Sequence, residues 1–414
     1  MKVSTGEAEA APVLTGQARK VLIVVENLPV PFDRRVWSEA TTLKANGYEV
    51  SVICPTGKGF EERYEVIDGI YIYRHKLPLD ARGALGYLRE YSSALFHEAR
   101  LALKIKRKHG FDVVHGCNPP DLIFLIALLF RPFGTRFLFD HHDICPELFE
   151  AKFGKRGLLY SVTRFFERLT FACATVSIAT NESYRDIAIK RGKMAPEDVF
   201  VVRSGPKIEK LELRPPKEDL KKGFKYLVGY VGVIGAQEGL DLLIDATEHL
   251  VKTMGRTDIH FGVVGGGPEL PIIQEDVKNR GLEPYFTFTG RAPDDLLLDM
   301  LNTADVCVNP DRYTVMNDLS TMNKILEYMT LKKPIVQFDL KEGRVSAGEA
   351  SLYAEQNNTT DFAVKIVELL EDPEKRSSMG EIGRKRILDM YSWTHSMPVL
   401  LSAYDRLYQK MGRG

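Results

Sequence analysis

The sequence predicts an α/β chain of two doubly wound, Rossmann-like domains facing a cleft. Three observations predict it. The chain has 414 residues, too many for one ordinary hydrophobic core. Short β-branched runs alternate with longer amphipathic stretches, and that rhythm breaks once, near the middle. Hydrophobic residues make up 44% and charged residues 27%, the balance of a folded globular protein rather than a disordered or fibrous one.

In the first half the runs are KVLIVV (20–25), EVSVIC (49–54), GIYIYR (69–74), DVVHG (112–116) and RFLFD (136–140). Strands of this kind, separated by amphipathic helices, form a parallel sheet covered on both faces. The first helix is legible from Val36, Ala40 and Leu43 at i, i+4, i+7 and from a stop at Gly47. Over residues 203–223, Gly, Pro and charge replace the apolar periodicity. A second series follows: YLVGYVG (226–232), IHFGVV (259–264), YFTFT (285–289), DVCVN (305–309) and PIVQF (334–338). The expected division is a disordered leader (1–18), a first domain (19–205), a linker (206–224), a second domain (225–390) and a closing segment (391–414). Open parallel sheets bind ligands beyond the carboxyl ends of their strands, so function is expected on the loops lining the cleft.

Composition excludes several classes. Fifty-six basic side chains balance fifty-six acidic ones, leaving no overall field to attract nucleic acid. Cys54, Cys117, Cys145, Cys173 and Cys307 are odd in number and never spaced C-x-x-C, so neither a disulfide framework nor a zinc ribbon is expected and a reducing cytoplasm fits. The run from Leu122 to Phe130 has nine apolar residues before Arg131, whereas a membrane-spanning helix needs about 20. The polar start lacks the apolar core of a secretory signal.

Several groups could carry chemistry. In STMNKILEYM (320–329), Ser320, Asn323, Lys324 and Glu327 follow i, i+3, i+4, i+7 and form a polar stripe opposite Met322, Ile325, Leu326 and Met329. With Ser320 or Thr321 as N-cap, free amides and Lys324 would gather positive potential, and Glu327 would lie about two turns on, an order that matches a diphosphate and a ribose diol. An ordinary amphipathic surface helix gives the same pattern, but its position after DVCVN and PDRYTVMNDL (310–319) favours a nucleotide site. Gly265, Gly266 and Gly267 follow a strand and suit a tight turn into a helix, beside a phosphate or not. Gly266, and Gly235 after the domain's first strand, are the backbone positions assigned to the nucleotide. The spacing is not G-x-G-x-x-G, which ranks NAD binding low. His141 and His142 in DHHD (140–143) end a strand; extended neighbours point to opposite faces, so one faces the cleft and the other packs. No third ligand at recognisable spacing accompanies them, so no metal site is assigned. Arg34 and Arg35 open the first helix, facing either solvent or an anion.

Together these segments resemble the retaining GT-B glycosyltransferases of family 4, in particular those of bacterial polysaccharide and O-antigen biosynthesis. The resemblance rests on ENLPVPFDRRVWSEATTLKANGYEVSVICP, DHHDICPELF, VGYVGVIGAQEGLDLLIDA, VVGGGPEL, FTGRAPDDLLLDMLNTADVCVNP and STMNKILEYMTLKKPIVQFD, in family order along nearly the whole chain. It implies a GT-B fold whose last helix, near YSWTHSMPVLLSAYDRLYQKM, crosses back to the first domain. It further implies Glu327 as the ribose carboxylate, the backbone at Gly290 and Arg291 beside the base, and His142, with His141 as the alternative, near the donor sugar.

Three departures from that pattern bear on mechanism. Where the family carries a basic pair for the diphosphate, this chain has Gly232, Val233 and Ile234, then Glu238 and Gly239. In the paired-glutamate motif the position eight before Glu327 is Leu319, leaving Asp318 beside it as the assigned carboxylate. The N-terminal glycine pair is replaced by PFDRR (31–35). Lys324, Arg291, Arg34 and Arg35 are the cations expected to replace the lost charge. No D-x-D triplet occurs, so metal-independent transfer without a cofactor is expected, from a UDP sugar to a glycan or lipid-linked glycan. Basic-apolar stretches, with Arg89, Arg100, Lys104, Lys106, Arg107 and Lys108 among Tyr87, Leu88, Leu95 and Leu103, and again at 151–171, are consistent with solvated helices or with peripheral contact at an anionic membrane. A sugar-nucleotide epimerase and a non-catalytic subunit of a membrane complex remain open.

Overall fold

The computed structural model describes residues 18–76, 83–154 and 156–412. The leader assigned to 1–18 therefore lies almost wholly outside the described residues, as do the side chains of Tyr87, Leu88 and Arg89.

The first domain is an eight-stranded sheet in the order β3-β4-β2-β1-β5-β6-β7-β8. Its strands are β1 (Lys20–Val25), β2 (Glu49–Pro55), β3 (Tyr64–Ile67), β4 (Ile70–His75), β5 (Val113–Cys117), β6 (Arg136–His141), β7 (Val176–Ala179) and β8 (Val199–Val201). All pair in parallel except the edge hairpin β3–β4. Helices α1 (Arg34–Ala45), α2 (Gly83–Lys108), α3 (Phe124–Phe130), α4 (Cys145–Phe153), α5 (Leu158–Cys173) and α6 (Glu182–Lys190) connect them. The chain enters α1 through Asp33, whose carboxylate accepts from the amides of Arg35 and Val36 at 3.0 Å each, and leaves it at Gly47, where φ is +82°. Strand β1 is buried on both faces after its first residue, as a covered parallel sheet requires.

The second domain is a six-stranded, wholly parallel sheet in the order β11-β10-β9-β12-β13-β14. It comprises β9 (Tyr226–Val231), β10 (Ile259–Val264), β11 (Phe286–Phe288), β12 (Val306–Asn309), β13 (Ile335–Phe338) and β14 (Ser351–Ala354). Helices α7 (Leu240–Glu248), α8 (Leu270–Asn279), α9 (Asp294–Thr303), α10 (Val315–Leu319), α11 (Asn323–Thr330), α12 (Lys341–Ala347), α13 (Thr359–Glu371) and α14 (Pro373–Arg386) cover it. The segment between the sheets is not free: Leu211 packs into the second core, and Arg214 and Lys217 bond Asp299 at 3.2 and 2.6 Å.

Helix α15 (Trp393–Lys410) returns to the first domain. Its Trp393, Leu400, Ala403, Tyr404, Leu407 and Tyr408 join one buried cluster with β1, α1 and β2. The outgoing and returning chains nearly touch, since a Cβ on Gly205 would lie 2.2 Å from the carbonyl oxygen of Tyr391. Among the described residues no helix is long and apolar enough to cross a membrane.

Candidate functional site

Both sheets turn their carboxyl edges to the cleft, and the loops there are stitched together by backbone. After β9, Gly232 N donates to Val264 O and Ile234 N to Gly266 O, each at 3.1 Å, and Gly265 N donates to Gly290 O at 3.0 Å. Glycine is required at 265: φ is +147°, and a Cβ would sit 1.8 Å from Gly232 O. Gly235 N donates to Glu238 Oε2 at 3.1 Å, so Glu238 closes its own turn rather than facing outward. Gly235, Gly266 and Gly290 thus belong to one interlocked floor, with Arg291 at its rim, exposed and stacked 4.4 Å over the ring of Phe32 from the other domain.

Helix α11 delivers the polar stripe, but not as capped by sequence. Its N-cap is Met322, with no side-chain cap. Ser320 ends the short α10 instead, and the chain is extended between the two helices. Ser320 Oγ and Thr321 Oγ1 join the domains: Tyr184 OH bonds Ser320 at 2.8 Å and Asn181 Nδ2 donates to Thr321 at 3.1 Å. Asp318 likewise faces α12, accepting from Lys341 N at 2.8 Å at that helix's start. Asn323 is exposed and lines the interdomain cavity together with Glu327.

Lys324 is held rather than free. Nζ bonds Asp311 Oδ1 at 2.7 Å, with the two side chains 10% and 1% exposed, and lies 5.1 Å over the ring of Tyr230. Burial works against its charge, but Asp311 holds the ammonium above the ordinary lysine range. Burial also raises Asp311 and Glu238, opposed by Lys324. Asp311 was not singled out in the sequence; its signal is an aspartate just past the carboxyl end of β12.

Glu327 reaches the cleft and meets Arg34, whose Nη1 donates to Oε1 at 2.9 Å. Burial raises the Glu327 carboxyl and Arg34 lowers it. The glutamate side chain is 16% exposed and the arginine 68%, so a partly buried acid is covered by a cation that solvent reaches.

Arg35 has the opposite fate, and the anion-facing role assigned to it is corrected here. It is 7% exposed and bonds Asp140 Oδ1 at 2.6 Å and Val202 O at 2.6 Å, with Glu39 at 3.2 Å. Burial acts against the charge of every member. Arg35 and His142 nonetheless hold Asp140 well below the usual carboxylate range, while burial and Asp140 push Glu39 well above it. Both acids thus face the Arg35 guanidinium, with the charged form favoured on Asp140 and disfavoured on Glu39. Glu39 of α1, His115 and Cys117 of β5 and Asp140 of β6 come close enough to chelate a cation, a grouping that spacing in the sequence does not reveal; the guanidinium of Arg35 already supplies positive charge to it.

The two histidines separate as their alternation requires. His141 is 1% exposed among Phe139, Phe171 and Tyr184, and burial lowers it to about 3. His142 Nε2 lies against Asp140 Oδ2 and 3.0 Å from Arg35 Nε. Asn118, also missed in the sequence, fixes the loop: its Oδ1 accepts from the amides of His142 and Asp143 at 2.7 and 3.1 Å.

Two facing parallel-sheet domains, a cleft between their carboxyl edges and a last helix crossing back define the GT-B class. Comparisons agree. Residues 33–205 match the family described as glycosyl transferase 4-like domain, and residues 225–372 match glycosyl transferases group 1. Alpha-D-kanosaminyltransferase of Streptomyces kanamyceticus is 31% identical over 324 residues, 74% of this chain and 80% of that protein. Alpha-maltose-1-phosphate synthase of Mycolicibacterium smegmatis is 25% identical, over 66% of this chain and 74% of its own. Sucrose-phosphate synthase from Thermosynechococcus elongatus superposes with a TM-score of 0.75 at 16% identity, covering 95% of this chain and 100% of that one. Anabaena HepE in complex with UDP and glucose gives 0.71 at 14% identity, covering 94% and 99%. The chain belongs to the GT-B glycosyltransferases.

Proposed function

We propose that this glycosyltransferase moves a sugar from a UDP sugar, with retention of configuration, to a glycan or lipid-linked glycan in polysaccharide biosynthesis. It does so in the cytoplasm, at the inner face of the cell membrane, and needs neither metal nor cofactor. The observation that carries the donor half is Glu327: a nearly buried carboxylate at the cleft whose partner, Arg34, is exposed and displaceable, as an acceptor for two ribose hydroxyls requires. HepE, of the same fold, binds UDP and glucose, and one relative, from Staphylococcus aureus, is a capsular polysaccharide biosynthesis glycosyltransferase, 24% identical over 249 residues.

Retention without a protein nucleophile rests on stabilising the leaving diphosphate as the glycosidic bond opens, a task for fixed amides and cations. The glycine floor at Gly266, the N–H groups of Lys324 not engaged by Asp311, and the rim arginines Arg34 and Arg291 perform it. The incoming hydroxyl passes its proton to the leaving phosphate. His142, anchored on Asp140, borders the donor sugar.

Glu327→Gln tests the assignment. Losing a charge-assisted hydrogen bond costs about 1.5–3 kcal/mol, or roughly 10- to 150-fold in UDP affinity by calorimetry; unchanged affinity removes Glu327 from the site. A panel of UDP sugars with glycan and aminocyclitol acceptors, run with and without EDTA, should release UDP and glycosylated product equally in both. An isomerised sugar would instead mark an epimerase, and binding without turnover a non-catalytic subunit.

A further inference from the structure

Helices α2, α3 and α5 cover the same face of the first sheet and share one buried cluster. Their outer surface is unusually apolar: Leu158 is 81% exposed, Phe133 73%, Phe165 57% and Leu129 52%. Single exposed apolar residues are normal, but a contiguous group marks a contact surface. The two helices meet at their ends, where Leu128 of α3 and Arg131 just after it line a shallow cavity together with Ala172 and Cys173 at the end of α5.

The charge on this surface has one sign. Residues 124–133 and 158–173 contain Arg131, Arg164 and Arg168 and a single carboxylate, Glu167, which is 1% exposed and bonded to Arg191. On α2, Arg100, Lys104 and Arg107 are exposed beside Leu103. An apolar face ringed by cations and free of exposed acid is the pattern of an interfacial membrane contact. A second copy of the chain meeting it by two-fold symmetry would set arginine against arginine.

We infer that the outer face of α3 and α5, flanked by α2, seats the first domain on an anionic phospholipid surface. Because α5 begins after β6 and α4, Leu158 lies toward the carboxyl edge of the sheet, where the cleft opens. A lipid-linked acceptor held in the same surface would therefore present its glycan at the cleft mouth. The inference deepens the acceptor half of the proposed function, but binding is read without donor or acceptor, so either reading can fail alone.

The test is flotation with phosphatidylcholine vesicles, with or without about one-third phosphatidylglycerol. The protein should float with the anionic vesicles, far less with neutral ones, and less as salt rises. Arg131→Gln and Arg168→Gln should each lower partitioning about fivefold, and Leu158→Ser with Phe165→Ser should lower it on both vesicle types. Should the serine variant misfold, the arginine variants, which alter only exposed side chains, decide the matter. Failure of the wild type to float with anionic vesicles, or wild-type partitioning in the arginine variants, overturns the inference. So does a solution dimer that the serine variant disperses when no vesicle binding is seen.

Discussion

Lys324→Met should cost the second domain far more stability than a surface lysine would. The substitution leaves Asp311 buried without its cation, and breaking one side of a buried pair costs about 3–5 kcal/mol, a large share of a typical total of about 5–15. The pH dependence has a definite sign. Burial already places folded Asp311 above its unfolded value, and removing Lys324 raises it further. Such a group's stability is full below about pH 4 and is lost as pH rises through the folded-state value. The gap to wild type should therefore close toward pH 4 and widen toward neutrality in urea unfolding. Pairing the change with Asp311→Asn removes both charges, strands neither, and should recover most of the loss. That double variant also isolates the chemistry, because the local sum of charge is unchanged and only the ammonium N–H groups are gone. Its turnover should fall by roughly 10²–10³, with UDP affinity within a few-fold of wild type. A single variant within about 0.5 kcal/mol of wild type at neutral pH, or a folded double variant with full turnover, would refute this reasoning.

Arg34→Ala should change folding stability by no more than about 1 kcal/mol, the range of exposed ion pairs, while weakening UDP binding about tenfold in calorimetry; tighter binding would mean that the arginine only obstructs Glu327. His142→Ala should leave thermal unfolding near wild type, since His142 lies at the edge of the Asp140 network, and lower turnover by about 10²; full activity would place the donor sugar elsewhere.

Long β-branched runs were legible because they are buried on both faces: β1 occupies the six predicted residues, and β2, β4, β5 and β6 agree within a residue or so at each end. Strands β3, β7, β8 and β14 have only three or four residues each, too few to establish a period; β11, β12 and β13 are as short and are legible only as members of the regular series that YLVGYVG opens. The capping error has a local cause. A serine before an amphipathic run reads as an N-cap, yet here it closes a five-residue helix and bonds across the domain seam. The fate of Arg35 is not legible in the sequence because its partner Asp140 lies 105 residues away, on a strand that only the sheet order brings beside α1. Adjacent arginines look alike in sequence; α1 turns one into the core and the other, Arg34, across the cleft to a carboxylate 293 residues on.

The separation of those arginines constrains how a donor could be held. Arg35 is matched by Asp140 and Lys324 by Asp311, so neither brings uncompensated charge to the cleft. A nucleoside diphosphate would bring about two negative charges, and leaving them uncompensated in a partly desolvated cleft costs several kcal/mol. Among the cations assigned to the site, only Arg34 and Arg291 lie at the rim in reach of solvent, and each already spans the two domains, one on Glu327 and the other over Phe32. If the ribose takes Glu327, Arg34 is released beside the diphosphate just as its former partner is occupied. Donor binding would then exchange one interdomain contact for another, through phosphate, and the missing basic pair after β9 would be replaced by cations whose placement depends on both domains being closed.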